Sequence, residues 1–186
     1  MGSTTRSDLA LTEKYRALNP EVLYSGSAIT MTDRSDIDLF KNLSSHNQRK
    51  RIRLCAHVEA NDLLHEMLIV HERGVYVRPH KHPGKTESAH IIEGLVDVVV
   101  FDDAGQITSV IRMGDYTSGK TFYYRMATPV FHTLIIRSDV LVFHETTNGP
   151  FDRRDTIFAP WAPDDCDVSH AIAFMVDLDD RVRLMK

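Results

Sequence analysis

Cysteine, tryptophan and long apolar runs are all scarce in this chain of 186 residues. Its two cysteines, Cys55 and Cys166, stand far apart. A small secreted scaffold stapled by disulfides needs a denser pattern, so both are expected as free thiols. No stretch approaches the roughly 18 consecutive apolar residues of a membrane-spanning helix. The first twenty residues carry charged and polar side chains throughout, unlike a targeting segment, and a cytoplasmic location is expected. Positive charge is also in short supply. With 22 Lys and Arg against 26 Asp and Glu, the net charge is −4 and the pI near 6.2, which leaves no electrostatic footprint for nucleic acid. The local basic cluster Asn47-Gln-Arg-Lys-Arg-Ile-Arg53 is short and reads as a solvated element end. What remains, 42% hydrophobic and 26% charged, is ordinary for one globular domain able to bury a core.

Histidine, by contrast, is well represented and unevenly placed. The stretch Gly74-x5-His80-x-His82-x4-Glu87-x6-Gly94 is followed about fifty residues later by His132. Side chains at i and i+2 of a strand project from one face, so His80 and His82 converge on one point. Pro83 and Gly84 can turn the chain so that Glu87 returns beside them. His132 lies in the strand-like run Phe131 to Ile136 and shares a face with Leu134 and Ile136. His80, His82, Glu87 and His132 form a complete ligand set for one divalent transition metal ion, with Fe, Mn, Zn and Ni all compatible.

The rest of the chain reads as an arm, a helix, a series of strands and a tail. Leu9, Leu11, Tyr15 and Leu18 suggest an amphipathic turn or two within an N-terminal arm, residues 1–32. A helix is expected to start at Thr32 or Asp33 and to carry Ile37, Leu39, Phe40 and Leu43. From Leu54 onward come eight short β-rich runs: Glu66 to Val70, Val75 to His82, Ser88 to Ile92, Leu95 to Phe101, Ile107 to Met113, Thr121 to Arg125, His132 to Arg137 and Val140 to Thr146. Such spacing predicts an all-β antiparallel sandwich or barrel over residues 33–165. In the tail, residues 166–186, helix and strand fit equally, and the segment is expected to pack on the barrel or on a partner subunit.

Strand alternation predicts that Tyr76 and Arg78 face inward with His80 and His82, while Val77 and Lys81 face away. An inward Arg78 would bind an anionic group of a substrate, or pair with an acid such as Glu145. Glu87, Ala89 and Ile91 would face inward and His90 outward. Of Tyr123 and Tyr124, and of His144 and Glu145, alternation does not say which faces the cavity. Lys85 is expected at its mouth, and His57, His65 and His71 as structural. Pro150, Phe151 and Ala159-Pro-Trp161-Ala-Pro163 are rigid and aromatic, suited either to a fixed flap over one barrel opening or to a hydrophobic plug.

Gly74 to Gly94 resembles the first motif of the cupin superfamily, in which two His and one Glu hold a metal inside a jelly-roll barrel. The second motif is only partly kept: Gly114 and His132 are present, but Ala127, Pro129 and Ile136 replace the usual Pro, Gly and Asn. Arg78-Pro-His-Lys-His82, Lys85-Thr-Glu-Ser88, Glu93-Gly94, Phe101-Asp-Asp103, Gly149-Pro-Phe151 and Ala159-Pro-Trp-Ala-Pro163 are together similar to the WbuC family of cupin-fold metalloproteins. The resemblance implies a cupin-type antiparallel jelly-roll β-barrel, a homodimer, and an association with surface-polysaccharide (O-antigen) biosynthesis. It directs attention to a sugar or sugar-nucleotide isomerase, epimerase or lyase acting on a small, anionic substrate, with Tyr124, Glu145 or Lys85 moving the proton. An iron-dependent dioxygenase and a non-catalytic sugar-binding or sensory protein are the alternatives.

Overall fold

The computed structural model describes residues 14–185, so Leu9 and Leu11 of the expected arm lie outside the described residues. In chain order it contains β1 (Tyr15–Asn19), β2 (Val22–Ser25), α1 (Arg34–His46), β3 (Arg51–Cys55), β4 (Leu64–Glu72), β5 (His80–Lys81) and β6 (Glu87–Glu93). There follow β7 (Leu95–Phe101), β8 (Ile107–Gly114), β9 (Tyr123–Met126), β10 (Phe131–Ile136), β11 (Val140–Asn148), β12 (Ile157–Phe158) and α2 (Val168–Leu184).

The strands make two sheets, one ordered β1-β2-β3-β4-β11-β6-β9 and the other β12-β5-β10-β7-β8. Among the strand pairs of the described residues, β2 and β3 run parallel and the others antiparallel. The inward faces enclose a core that includes Met67, Ile69, Ala89, Ile91, Val96, Val98, Leu141 and Phe143. Each outer face has its own cover. Helix α1 begins at Asp33, whose side chain accepts from the amides of Ser35 and Asp36 while Asp36 accepts from the Asp33 amide, so three otherwise orphaned donors are satisfied. It then buries Phe40 against Ile52, Leu54, Val70 and Val142 on the outside of the seven-stranded sheet. On the outside of the other sheet, α2 sets Leu178 and Val182 against Val99, Phe101, Phe131 and Ile135. Fully burying a leucine such as Leu178 is worth about 1.5–3 kcal/mol, so this helix is an integral layer. Two facing, largely antiparallel sheets of this kind make an all-β sandwich.

Several expectations change in the structure. Tyr15 and Leu18 lie in a strand, so this part of the arm extends the large sheet. The basic cluster ends in β3, where Arg51 and Arg53 alternate with Ile52 and Leu54, and the apolar pair faces α1. The run Val75 to His82 is strand only at His80–Lys81: Pro79 has no amide to donate, and the Val77 carbonyl accepts from the Thr133 hydroxyl. The tail is a helix packed on its own barrel. Trp161 does not cover an opening but fills the layer between sheet and α2, beside Phe101, Phe131 and Phe174. Gly94, in the hairpin between β6 and β7, has φ +95, and a Cβ there would meet the Ser138 hydroxyl and the Val140 carbonyl at 2.4 Å.

Candidate metal centre

Short β5 is fixed from both sides. His80 stands directly opposite His132 of β10 and opposite Phe158 of β12, and the Ala159 amide donates to the Pro79 carbonyl at 2.8 Å. Two residues on, His82 leaves the strand, and the turn through Pro83 and Gly84, with Gly84 at φ +76, returns the chain to Glu87 at the start of β6. The ligand nitrogens of His80, His82 and His132 all lie within 4.8 Å of one another. Glu87 completes the group, with Oε1 3.2 Å from His132 Nε2 and Oε2 3.5 Å from His82 Nε2.

The ring nitrogens turned away from this point are each committed elsewhere. His80 Nδ1 donates to the Arg78 carbonyl at 2.7 Å, His132 Nδ1 to the Val130 carbonyl at 3.0 Å, and His82 Nδ1 to the Asp155 carbonyl at 3.1 Å. A carbonyl can only accept, so these contacts place a proton on each Nδ1; His80 and His82 then turn the Nε2 lone pair to the centre, and His132 Nε2 does so once the proton it holds toward Glu87 has left. Tyr124 donates from its hydroxyl to Glu87 Oε1 at 3.0 Å. A divalent ion about 2.0–2.2 Å from each donor would separate neighbouring ligand atoms by about 3–3.5 Å, which the spread observed here accommodates. These residues fit a single metal ion.

Electrostatics favour the same use. Burial, with the neighbouring imidazoles, pushes His80 down to about 3. Burial also lowers His82. Burial acts in that direction on His132 too, but the hydrogen bond and charge of Glu87 outweigh it and raise the group. Conversely, burial would raise Glu87, and its histidine partners hold it below the usual carboxylate range. In this form of the site the carboxylate and His132 share a proton, and an ion would displace it.

The cavity beneath the centre has a volume of about 230 Å³ and reaches His80, Glu87 and His132 at one end. Tyr124 and Glu145 line it, whereas Tyr123 is exposed and His144 faces Glu66 at 3.9 Å on the other side of the sheet. Glu145 has no protein donor among the described residues, and burial together with the Glu87 charge pushes it up to about 7. Burial likewise raises the Tyr124 phenol well above 10. Ala89 and Ile91 face inward and His90 is exposed.

Other expected site residues are placed differently. Val77, not Tyr76 or Arg78, packs toward the inner core. Tyr76 donates to the Pro163 carbonyl and packs on Phe174. Arg78 reaches only the mouth, pairs with Asp164 at 2.5 Å rather than with Glu145, and lies 4.8 Å over the Phe158 ring. Lys85 is at the mouth, where its ammonium clamps the carbonyls of Asn148 at 2.8 Å and Pro150 at 2.7 Å. His57 and His65 stack at 3.9 Å on the mouth wall, and His71 lines the far end of the inner cavity. Two contributors were not singled out from the sequence: Asp155, through its carbonyl, and Arg53, which lines both cavity and mouth without an ion pair among the described residues. Only the alternation of β3 signals Arg53, and no side-chain signal marks a backbone carbonyl.

A family described as a domain of unknown function (DUF6016) matches residues 32–113, which include His80, His82 and Glu87 but not His132. No curated protein matches. Among solved structures, the chain is similar to protein SO0799 from Shewanella oneidensis at TM-score 0.45 and 10% identity, over 55% of this chain and 66% of that one. It is similar to oxalate decarboxylase from Bacillus subtilis at TM-score 0.42 and 18% identity, over 52% of this chain and only 24% of the enzyme. A conserved protein of unknown function from Streptococcus pyogenes aligns at TM-score 0.42 and 14% identity, covering 57% of this chain and 80% of that one. The chain thus spans less than two thirds of the first two. Three imidazoles, with a carboxylate beside them, thus converge between two facing sheets as a candidate site for one metal ion.

Proposed function

We propose that this chain is a metal-dependent enzyme that moves a proton on a small substrate, in the class of isomerases, epimerases and lyases. Glu145 carries the reading: a carboxyl in the cavity wall, beside the ligand set and without a donor among the described residues, is placed to exchange a proton with a molecule in the cavity. His80, His82, Glu87 and His132 would hold the ion, which when bound supplies polarisation of a substrate carbonyl. Tyr124 orients Glu87 through its hydroxyl. Lys85 is held by backbone carbonyls and serves the shape of the mouth. The WbuC-like residues add a link to surface-polysaccharide biosynthesis as part of the proposal.

The test is solvent exchange. Metal-loaded protein incubated in D2O with a panel of carbonyl compounds should wash deuterium into the carbon next to the carbonyl of an accepted compound. Glu145→Gln should slow that exchange at least a hundredfold while keeping its metal. Oxygen consumption with Fe(II) in place of exchange would support the dioxygenase class and refute this one.

A further inference from the structure

The shape and lining of the inner cavity say what kind of body the substrate has. Beyond the ligands, Tyr124 and Glu145, and apart from Arg53, the middle of the wall is aliphatic and aromatic: Ile69, Ile91, Val98, Leu134, Leu141 and Phe143. At the far end polar groups are neutralised among themselves, since Arg51 pairs with Glu21 at 2.9 Å and burial keeps His71 uncharged. A volume of about 230 Å³ equals about eight waters at about 30 Å³ each, below the range usual for drug-sized ligands. Away from the metal end and Glu145, a sugar placed there would meet only Arg53 and the His71 ring as free hydrogen-bonding groups among the described residues, and would bury its other hydroxyls against hydrocarbon. Each such loss weakens binding by about tenfold.

We infer that the substrate is a compact carbonyl or carboxyl compound with a hydrocarbon body, its oxygens toward the histidine cluster and its chain or ring in the apolar cavity, rather than a sugar or sugar nucleotide. The inference rests on the proposed metal site, and its test separates the two. Protein loaded with Mn(II) is titrated with hydroxamates, which present the same two adjacent oxygens on different bodies, and displacement of metal-bound water is followed by water-proton relaxation.

Affinity should rise about fourfold per added methylene from acetohydroxamate to hexanohydroxamate. Benzohydroxamate should bind comparably to hexanohydroxamate, and gluconohydroxamate more weakly than acetohydroxamate. Ala89→Val, which narrows the cavity between Glu145 and Tyr124, should flatten the chain-length trend with Mn(II) content unchanged. If that variant misfolds, Val98→Ile serves the same purpose on the opposite sheet. A series independent of chain length, or gluconohydroxamate binding more tightly than hexanohydroxamate, overturns the inference while leaving the metal site intact. Absence of any Mn(II) relaxation signal overturns the metal reading itself.

Discussion

Metal uptake should release close to two protons per ion at pH 6, and one in Glu145→Gln. The count follows from the groups around the site. His80, down at about 3, is already neutral at pH 6, and burial shifts His82 in the same direction. Glu87 is ionised. His132, raised above its ordinary 6.5 by Glu87, carries a proton that must leave before Nε2 can coordinate. Glu145, up at about 7, is about nine-tenths protonated at pH 6, and a dication beside Glu87 favours its carboxylate form. The sign is therefore fixed: affinity rises with pH across this window and levels off once both groups have lost their protons. With two protons released the rise approaches a hundredfold per pH unit, about 2.7 kcal/mol, and with one it is tenfold. Calorimetric titration of Zn(II) or Mn(II) in buffers of different ionisation enthalpy counts the protons directly. Release of three or more would mean that His80 and His82 are not held neutral. An unchanged count in Glu145→Gln would mean that this carboxyl does not hold a proton beside the site.

His80→Ala with His82→Ala should remove nearly all bound metal from a chain that otherwise holds about one ion; full occupancy by elemental analysis would refute the ligand set. Arg78→Ala should keep the metal and lose about 1–2 kcal/mol in chemical denaturation, because it deletes a largely buried guanidinium that pairs with the exposed Asp164 and lies over Phe158. Loss of anionic ligands from the mouth without loss of stability would instead favour Arg78 as a substrate-binding residue. We also propose a homodimer: Val168, Ile172 and Val176 leave an exposed apolar strip on α2, and light scattering at micromolar concentration should give twice the 21.2 kDa chain mass. A single-chain mass rejects the dimer.

Much of the barrel was legible because strands with one apolar face announce themselves by alternation. Leu95–Phe101 matches the expected run, and Ile107–Gly114, Phe131–Ile136 and Val140–Asn148 lie within a residue or two of theirs. Asp33 marked the start of α1 because its side chain caps the first turn. Arg51 and Arg53 hid β3 because charge on one face of a strand looks, in sequence, like a solvated cluster. The tail stayed undecided for a related reason. Ala171, Phe174, Met175, Leu178 and Val182 recur at helical spacing, but Ile172 and Val176 interrupt the pattern from the exposed side. Between Tyr123 and Tyr124, and between His144 and Glu145, the choice of face needs a register, and register is set by partners on β6 and β4 rather than by the pair itself.

The directions taken by Arg78 and His80 share one cause. Alternation holds only while a strand is paired, and here pairing begins at His80, so residues before it take their direction from other contacts: Thr133 on Val77, Pro163 on Tyr76, Asp164 on Arg78. His80 itself is set by β10 and β12 together. The three imidazoles then owe their tautomers to carbonyls at Arg78, Val130 and Asp155, one just before β5, one just before β10 and one just before β12. Residues that carry no metal-binding chemistry of their own thus decide which nitrogen of each ring is available. The segment Asp155 to Ala159 therefore belongs to the site as much as the motif around His80 does, because without it β5 loses an edge partner and His82 loses the acceptor that orients its ring.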